Sequence, residues 1–152
     1  MEGSNMAKVI VSTERETISE YSSSEKYGDW SSDHTYRVTG VRLCSSIDDA
    51  WEETFELGDV KAGDEVHVLS IVYGTGDSFG KSSGNGEVVM VYKSRALAEQ
   101  AYSMYDEKSG DYSIKLPFET PKGTEFRAIS NPAAGYFECL ESLDLETFIV
   151  GN

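Results

Sequence analysis

The chain has 152 residues, with 27 Asp and Glu against 13 Lys and Arg and a formal net charge of -14. A field that negative argues against a protein that holds nucleic acid or an anionic membrane through phosphates, because both need basic patches. It is compatible with a protein partner that has a basic surface, including an enzyme whose cleft normally holds DNA or RNA.

Residues 1–7 read as a tag or disordered N-terminus, without the basic and apolar regions of a secretory signal, and residues 8–150 as one domain. Lys8-Val9-Ile10-Val11 opens a first β-branched strand. Residues 14–34 are polar and broken by Ser and Gly, the composition of a loop that Tyr21, Tyr27 and Trp30 could anchor. Thr35 to Cys44 follows as a second strand, with Tyr36, Val38 and Gly40 alternating against Arg37, Thr39 and Val41.

Ser45 or Ser46 then offers an N-cap, and Ile47, Ala50, Trp51 and Phe55 form a helical stripe that Gly58 ends. Glu65 to Tyr73 reads as a buried strand. Gly74 to Gly86, with five Gly and three Ser in 13 residues, reads as a long flexible hairpin loop. Glu87 to Lys93 is a central strand antiparallel to the previous one. Ser94 caps a second helix with Leu97, Ala98, Ala101, Tyr102 and Tyr105 on one face and Gly110 as its stop. A hairpin around Pro121-Lys122-Gly123 and a last strand or strand pair over 136–150 complete the chain. The fold class expected is α+β, a single domain with a largely antiparallel β-sheet and two packed α-helices.

The expected partner surface is Asp48, Asp49, Glu52, Glu53 and Glu56, which with Asp59 make six carboxylates in 12 residues with no Lys or Arg among them. On a helix these acids form i, i+4 pairs that repel by a few tenths of a kcal/mol each. Phe79, at the tip of the Gly-rich loop, joins them as an aromatic anchor. Glu138, Glu141, Asp144 and Glu146 make a second acidic stretch without a base.

The Gly-rich segment ends in Gly80-Lys81-Ser82, like a phosphate-binding loop. Its glycines are misplaced for that motif, and a strand rather than a helix follows. Thr75, Asp77, Ser78 and Lys81 remain the alternative site, for a small ligand or nucleotide, with Tyr27 and Trp30 as stacking surfaces. Two Cys and two His, without paired spacing, are too few for a zinc site or a nucleophile–base–orienter set. The expectation is no enzyme, no metal and no cofactor. Cys44 and Cys139 read as free, buried thiols of a reducing cytoplasm. His67, alternating with Val66 and Val68, should face solvent or a partly polar edge.

Tyr73-Gly74-Thr75-Gly76-Asp77-Ser78-Phe79-Gly80, the strand–helix unit Val88 to Ala101 and Asn131-Pro132-Ala133-Ala134-Gly135-Tyr136-Phe137-Glu138 together resemble small acidic proteins of tailed bacteriophages. The resemblance covers roughly residues 64–150. It implies a protein of the infected bacterial cytoplasm that binds a host protein or a host-made molecule, and it assigns no functional residue.

Overall fold

The computed structural model describes residues 7–22, 30–44, 53–76 and 80–152. Of these, 67% lie in β-strands and 10% in a single α-helix. The strands are β1 (Ala7–Ser22), β2 (Trp30–Leu43), β3 (Thr54–Leu57), β4 (Glu65–Gly76) and β5 (Gly80–Tyr92). After α1 (Arg95–Glu107) come β6 (Ser113–Thr120), β7 (Gly123–Ser130) and β8 (Cys139–Ile149). Six of them form one sheet in the order β3-β1-β2-β5-β4-β8, and β6-β7 is a separate hairpin.

The expected α+β fold with two helices is corrected to a β-rich fold with one. Where the first helix was expected, Thr54–Leu57 is β3, paired antiparallel with Ala7 to Ile10 of β1. A period of two places Leu57 in the core while Thr54 and Glu56 face out. Ile47, Ala50 and Trp51 lie outside the described residues. The second expected helix is α1, and its start is where the sequence places it: the Ser94 side chain accepts from Leu97 N–H at 3.1 Å. Ala98, Ala101 and Tyr105 form its buried face.

The polar stretch expected as a loop is largely strand. β1 runs on to Ser22, and β2 starts at Trp30, the two paired from Ser22↔Trp30 to Val9↔Leu43. Between Thr13 and Glu20 the β1 arm is exposed, so it carries no apolar alternation. Cross-strand side chains hold it instead. Arg37 Nε donates to Glu14 Oε2 at 2.9 Å, and Ser19 Oγ donates to Asp33 Oδ2 at 3.0 Å.

Two clusters cover the faces of the β4–β5 pair. Val66, Val68, Val88 and Val91 pack with Val9, Val11, Val38, Val41 and Leu57. Leu69, Ile71, Met90 and Tyr92 pack with Ala98, Ala101 and Tyr105 of α1 and with Ile114 and Leu116 of β6. Strict alternation would put Val38 and Val41 on opposite faces, and likewise Val88 and Val91. Two register shifts bring each pair to one face. Thr39 is bypassed between Ser12↔Gly40 and Thr13↔Val38, and Val89 between Leu69↔Met90 and Ser70↔Val88.

The sheet also curls back on itself. The N-terminal end of β2 pairs in parallel with β5, Trp30↔Gly80 to Asp33↔Ser83. Near its other end, Leu43 N–H donates to Gly151 O and Gly151 N–H to Val41 O, both at 2.9 Å, just past the opposite edge strand β8.

His67 is not at a polar edge. It is 4% exposed, and its Nδ1 lies 2.8 Å from Thr147 Oγ1 of β8. The two cysteines form no disulfide and are not both buried as expected: Cys44 is half-buried and Cys139 exposed.

The Gly-rich segment, expected to be a flexible loop, is strand on both sides of residues 77–79, with Tyr73↔Asn85 and Thr75↔Ser82 in register. Its glycines serve close packing. Gly84 has φ +75, and a Cβ there would sit 1.6 Å from the His34 carbonyl oxygen; one at Gly86 would meet the Tyr36 ring at 1.9 Å. Gly84→Ala should therefore destabilise the domain by about 2–4 kcal/mol, from backbone strain and a backbone clash together. Gly40→Ala, whose Cβ meets nothing within 4 Å, should be nearly neutral in the same denaturant titration.

Candidate binding cleft

Four strands and the segment before β8 line a cleft of about 570 Å³ at the glycine-rich ends of β4 and β5. β2 supplies Asp33, β4 Gly74 to Gly76, β5 Lys81 to Ser83, and the β8 side Phe137, Cys139 and Glu141.

Two irregularities of pairing make it. On one side of Gly74, Glu141 is bypassed between Val72↔Ser142 and Tyr73↔Leu140; on the other, β5 sets two residues, Ser83 and Gly84, against Gly74 alone between Tyr73↔Asn85 and Thr75↔Ser82. The bulged Glu141 folds over Gly74, where a Cβ would approach its Oε2 to 2.9 Å, and its Oε1 accepts from Gly84 N–H at 2.8 Å. Asp33 Oδ1 accepts from Ser83 Oγ at 3.0 Å, and Glu138 Oε2 from Thr75 Oγ1 at 2.6 Å. Asn85 Nδ2 donates to the carbonyl oxygens of Tyr73 and Ser82 at 3.2 and 3.3 Å, which secures the β5 side of the bulge.

The rim is aromatic and is launched from a buried polar knot. Asn131, 4% exposed, donates through Nδ2 to Ser109 O and Asp111 O at 2.9 and 3.0 Å. Its Oδ1 accepts from Tyr105 Oη and from Ala133 N–H. That knot fixes the turn after β7, from which Tyr136 and Phe137 stand 89% and 53% exposed, their rings edge-to-face at 4.8 Å.

Of the residues expected to form a partner or ligand site, Asp48, Asp49, Glu52, Asp77, Ser78 and Phe79 lie outside the described residues. Thr75 and Lys81 do come together in the cleft, although the Thr75 hydroxyl is already engaged by Glu138. Glu53 and Glu56 do not share a helix face. Glu56 is on the edge strand β3, 3.9 Å from Lys8 Nζ. Glu53 sits beside Glu87 of β5, and Tyr36 lies near both. Crowded surroundings raise the pKa of Glu53, with Glu87 adding repulsion, and burial raises that of Glu87. Tyr36 is pushed up to about 12 by burial first and Glu53 second, against a hydrogen bond with Thr13.

Sequence reasoning did not single out Asp33, Phe137, Cys139 and Glu141 as one site. The second acidic stretch pointed at Glu141, but nothing in sequence joins β2 to β8. Among the described residues, no three His, Cys, Asp or Glu side chains converge as metal ligands would, and no helix is long and apolar enough to cross a membrane. No family model matches the chain, and no curated protein or solved structure matches it.

A carboxyl group with a raised folded pKa binds its proton more tightly folded than unfolded. Stability is therefore lost as pH rises from the ordinary carboxyl value through the raised one. Glu87→Gln should stabilise the domain at neutral pH and flatten the pH dependence of its melting temperature above pH 4.5, the ordinary value from which both Glu53 and Glu87 are raised. Melting curves at acidic and neutral pH check the sign, and a destabilised variant at neutral pH would contradict it.

Proposed function

We propose that this chain is a non-enzymatic binding protein whose acidic surface engages a protein with a basic surface and modulates it. The carrying observation is the cleft: the Asp33 and Glu141 carboxylates line it, and the Tyr136–Phe137 pair stands exposed at its rim. Carboxylates steer and orient a cationic partner, and exposed aromatic rings supply the desolvated anchors that dominate interface energetics. The net charge of -14 extends the same field over the whole molecule, so a nucleic-acid-handling enzyme with a basic cleft is the partner class, met by charge mimicry. The resemblance of the sequence to acidic phage proteins supports a host bacterial cytoplasm as the setting of that partner.

A small ligand or nucleotide is the second reading, favoured by Thr75 and Lys81 in the same cleft. Asp33 and Glu141 weigh against a phosphate there, since like charge opposes an anion.

Affinity capture from bacterial lysate, followed by mass spectrometry, identifies the partner. Asp33→Asn with Glu141→Gln removes two charges while keeping oxygens that accept from Ser83 and Gly84. This double variant should slow association and flatten its salt dependence, and Phe137→Ala should speed dissociation, about tenfold for loss of an aromatic anchor worth 1–2 kcal/mol. Unchanged kinetics in both variants, with the fold intact, would remove the cleft from the interface.

A further inference from the structure

β7 is the strand of this fold that is least used. All of its residues except Ile129 are exposed, Phe126 is 51% open, and among the described residues its outer edge has no strand partner. An open edge of this kind is a template for pairing with another strand.

The direction of its backbone groups follows from one residue of β6. Phe126 faces Pro117 across the hairpin. Proline has no N–H, so this cannot be a pair that exchanges two hydrogen bonds. The hydrogen-bonded pairs are then those on either side, Leu116↔Arg127 and Phe118↔Glu125. Thr124, Phe126 and Ala128 accordingly turn their N–H and C=O outward, to the open edge.

We infer that β7 pairs antiparallel with β7 of a second copy of this chain, centred on Phe126, joining two hairpins into a four-stranded sheet. A two-fold axis there sets Phe126 against Phe126, Thr124 against Ala128, and Glu125 against Arg127 in both directions. Its outward groups meet in about six backbone hydrogen bonds, two for each closely bonded pair. The charges select this register. A centre at Glu125 opposes carboxylate to carboxylate, and a centre at Arg127 opposes guanidinium to guanidinium. Only the Phe126 centre pairs unlike charges, at the close spacing where cross-strand side chains touch.

The Arg127 guanidinium lies over the Phe118 ring of β6 at 4.2 Å. The hairpin is also locally basic on an acidic chain, with Lys115, Lys122 and Arg127 against Glu119 and Glu125. Two copies can therefore meet here without setting acid against acid. The surface is small, so the dimer is weak and concentration-dependent.

Sedimentation equilibrium of the full chain over a concentration series reaching millimolar tests this at physiological ionic strength, where charges beyond about 8 Å are screened. Wild type should show a monomer–dimer equilibrium. Glu125→Arg alone and Arg127→Glu alone each place like charges together and should weaken it about tenfold or more. Both substitutions together restore opposite charges in the same register and should recover wild-type association. Phe126→Pro removes an outward N–H without touching a hydrogen bond to β6, so it should leave a folded monomer, with circular dichroism reporting the fold. A monomeric wild type at millimolar concentration would overturn the inference, as would folded single reversals that associate like wild type or a double reversal that stays weak.

Discussion

The structure depends on β4 being buried on both faces at once. Every residue from Val66 to Ile71 is buried, and β5 and β8 pair with both edges. A strand with no wet face needs two covers, and this chain builds one from β1–β3 and another from α1 and β6. Each buried Val, Leu or Ile contributes about 1.5–3 kcal/mol relative to exposure, so these covers supply most of the stabilisation. The polar side chains on that strand must then find partners inside, as His67 does with Thr147. Among the described residues, no buried side-chain nitrogen or oxygen lacks a hydrogen bond.

The cleft arises where that double cover stops. Beyond Ile71 the strand continues as Val72-Tyr73-Gly74-Thr75-Gly76, with small residues where a core would need large ones. Bulges on both neighbours then open the pairing around Gly74. The freed backbone and side-chain groups are tied together by Glu141, Asp33 and Glu138 rather than by apolar packing. The carboxylates that give the cleft its sign thus also hold its walls, which couples the proposed recognition surface to local stability.

The acid surplus has a structural cost as well as a use. Near Tyr36, desolvation raises the pKa of both Glu53 and Glu87, and repulsion from Glu87 adds to the rise at Glu53. Long arms such as the outer half of β1 carry other acids into solvent, where screening makes them nearly harmless. Charge is therefore tolerated at the periphery and becomes expensive only where sheet curvature brings strands together.

What the sequence by itself determined is local. Ser94 as a cap, the Ala98–Ala101–Tyr105 face, the turn at Pro121-Lys122 and the antiparallel pair β4–β5 all depend on neighbours a few residues away. The sign of the charge field was equally legible, because it is a sum over composition. Tertiary structure decided the rest. Thr54–Leu57 became a strand because β1 offered an edge to it, overriding a helical spacing whose charges repelled. The polar arms of β1 and β2 had no apolar alternation to read, since pairing rather than burial holds them. The bulges at Thr39 and Val89 moved Val41 and Val91 to the faces that needed them, and no period in the sequence marks where a strand will slip by one. The cleft joins Asp33 to Glu141 for the same reason: sheet order is set by which faces must be covered, and that is a property of the packed molecule.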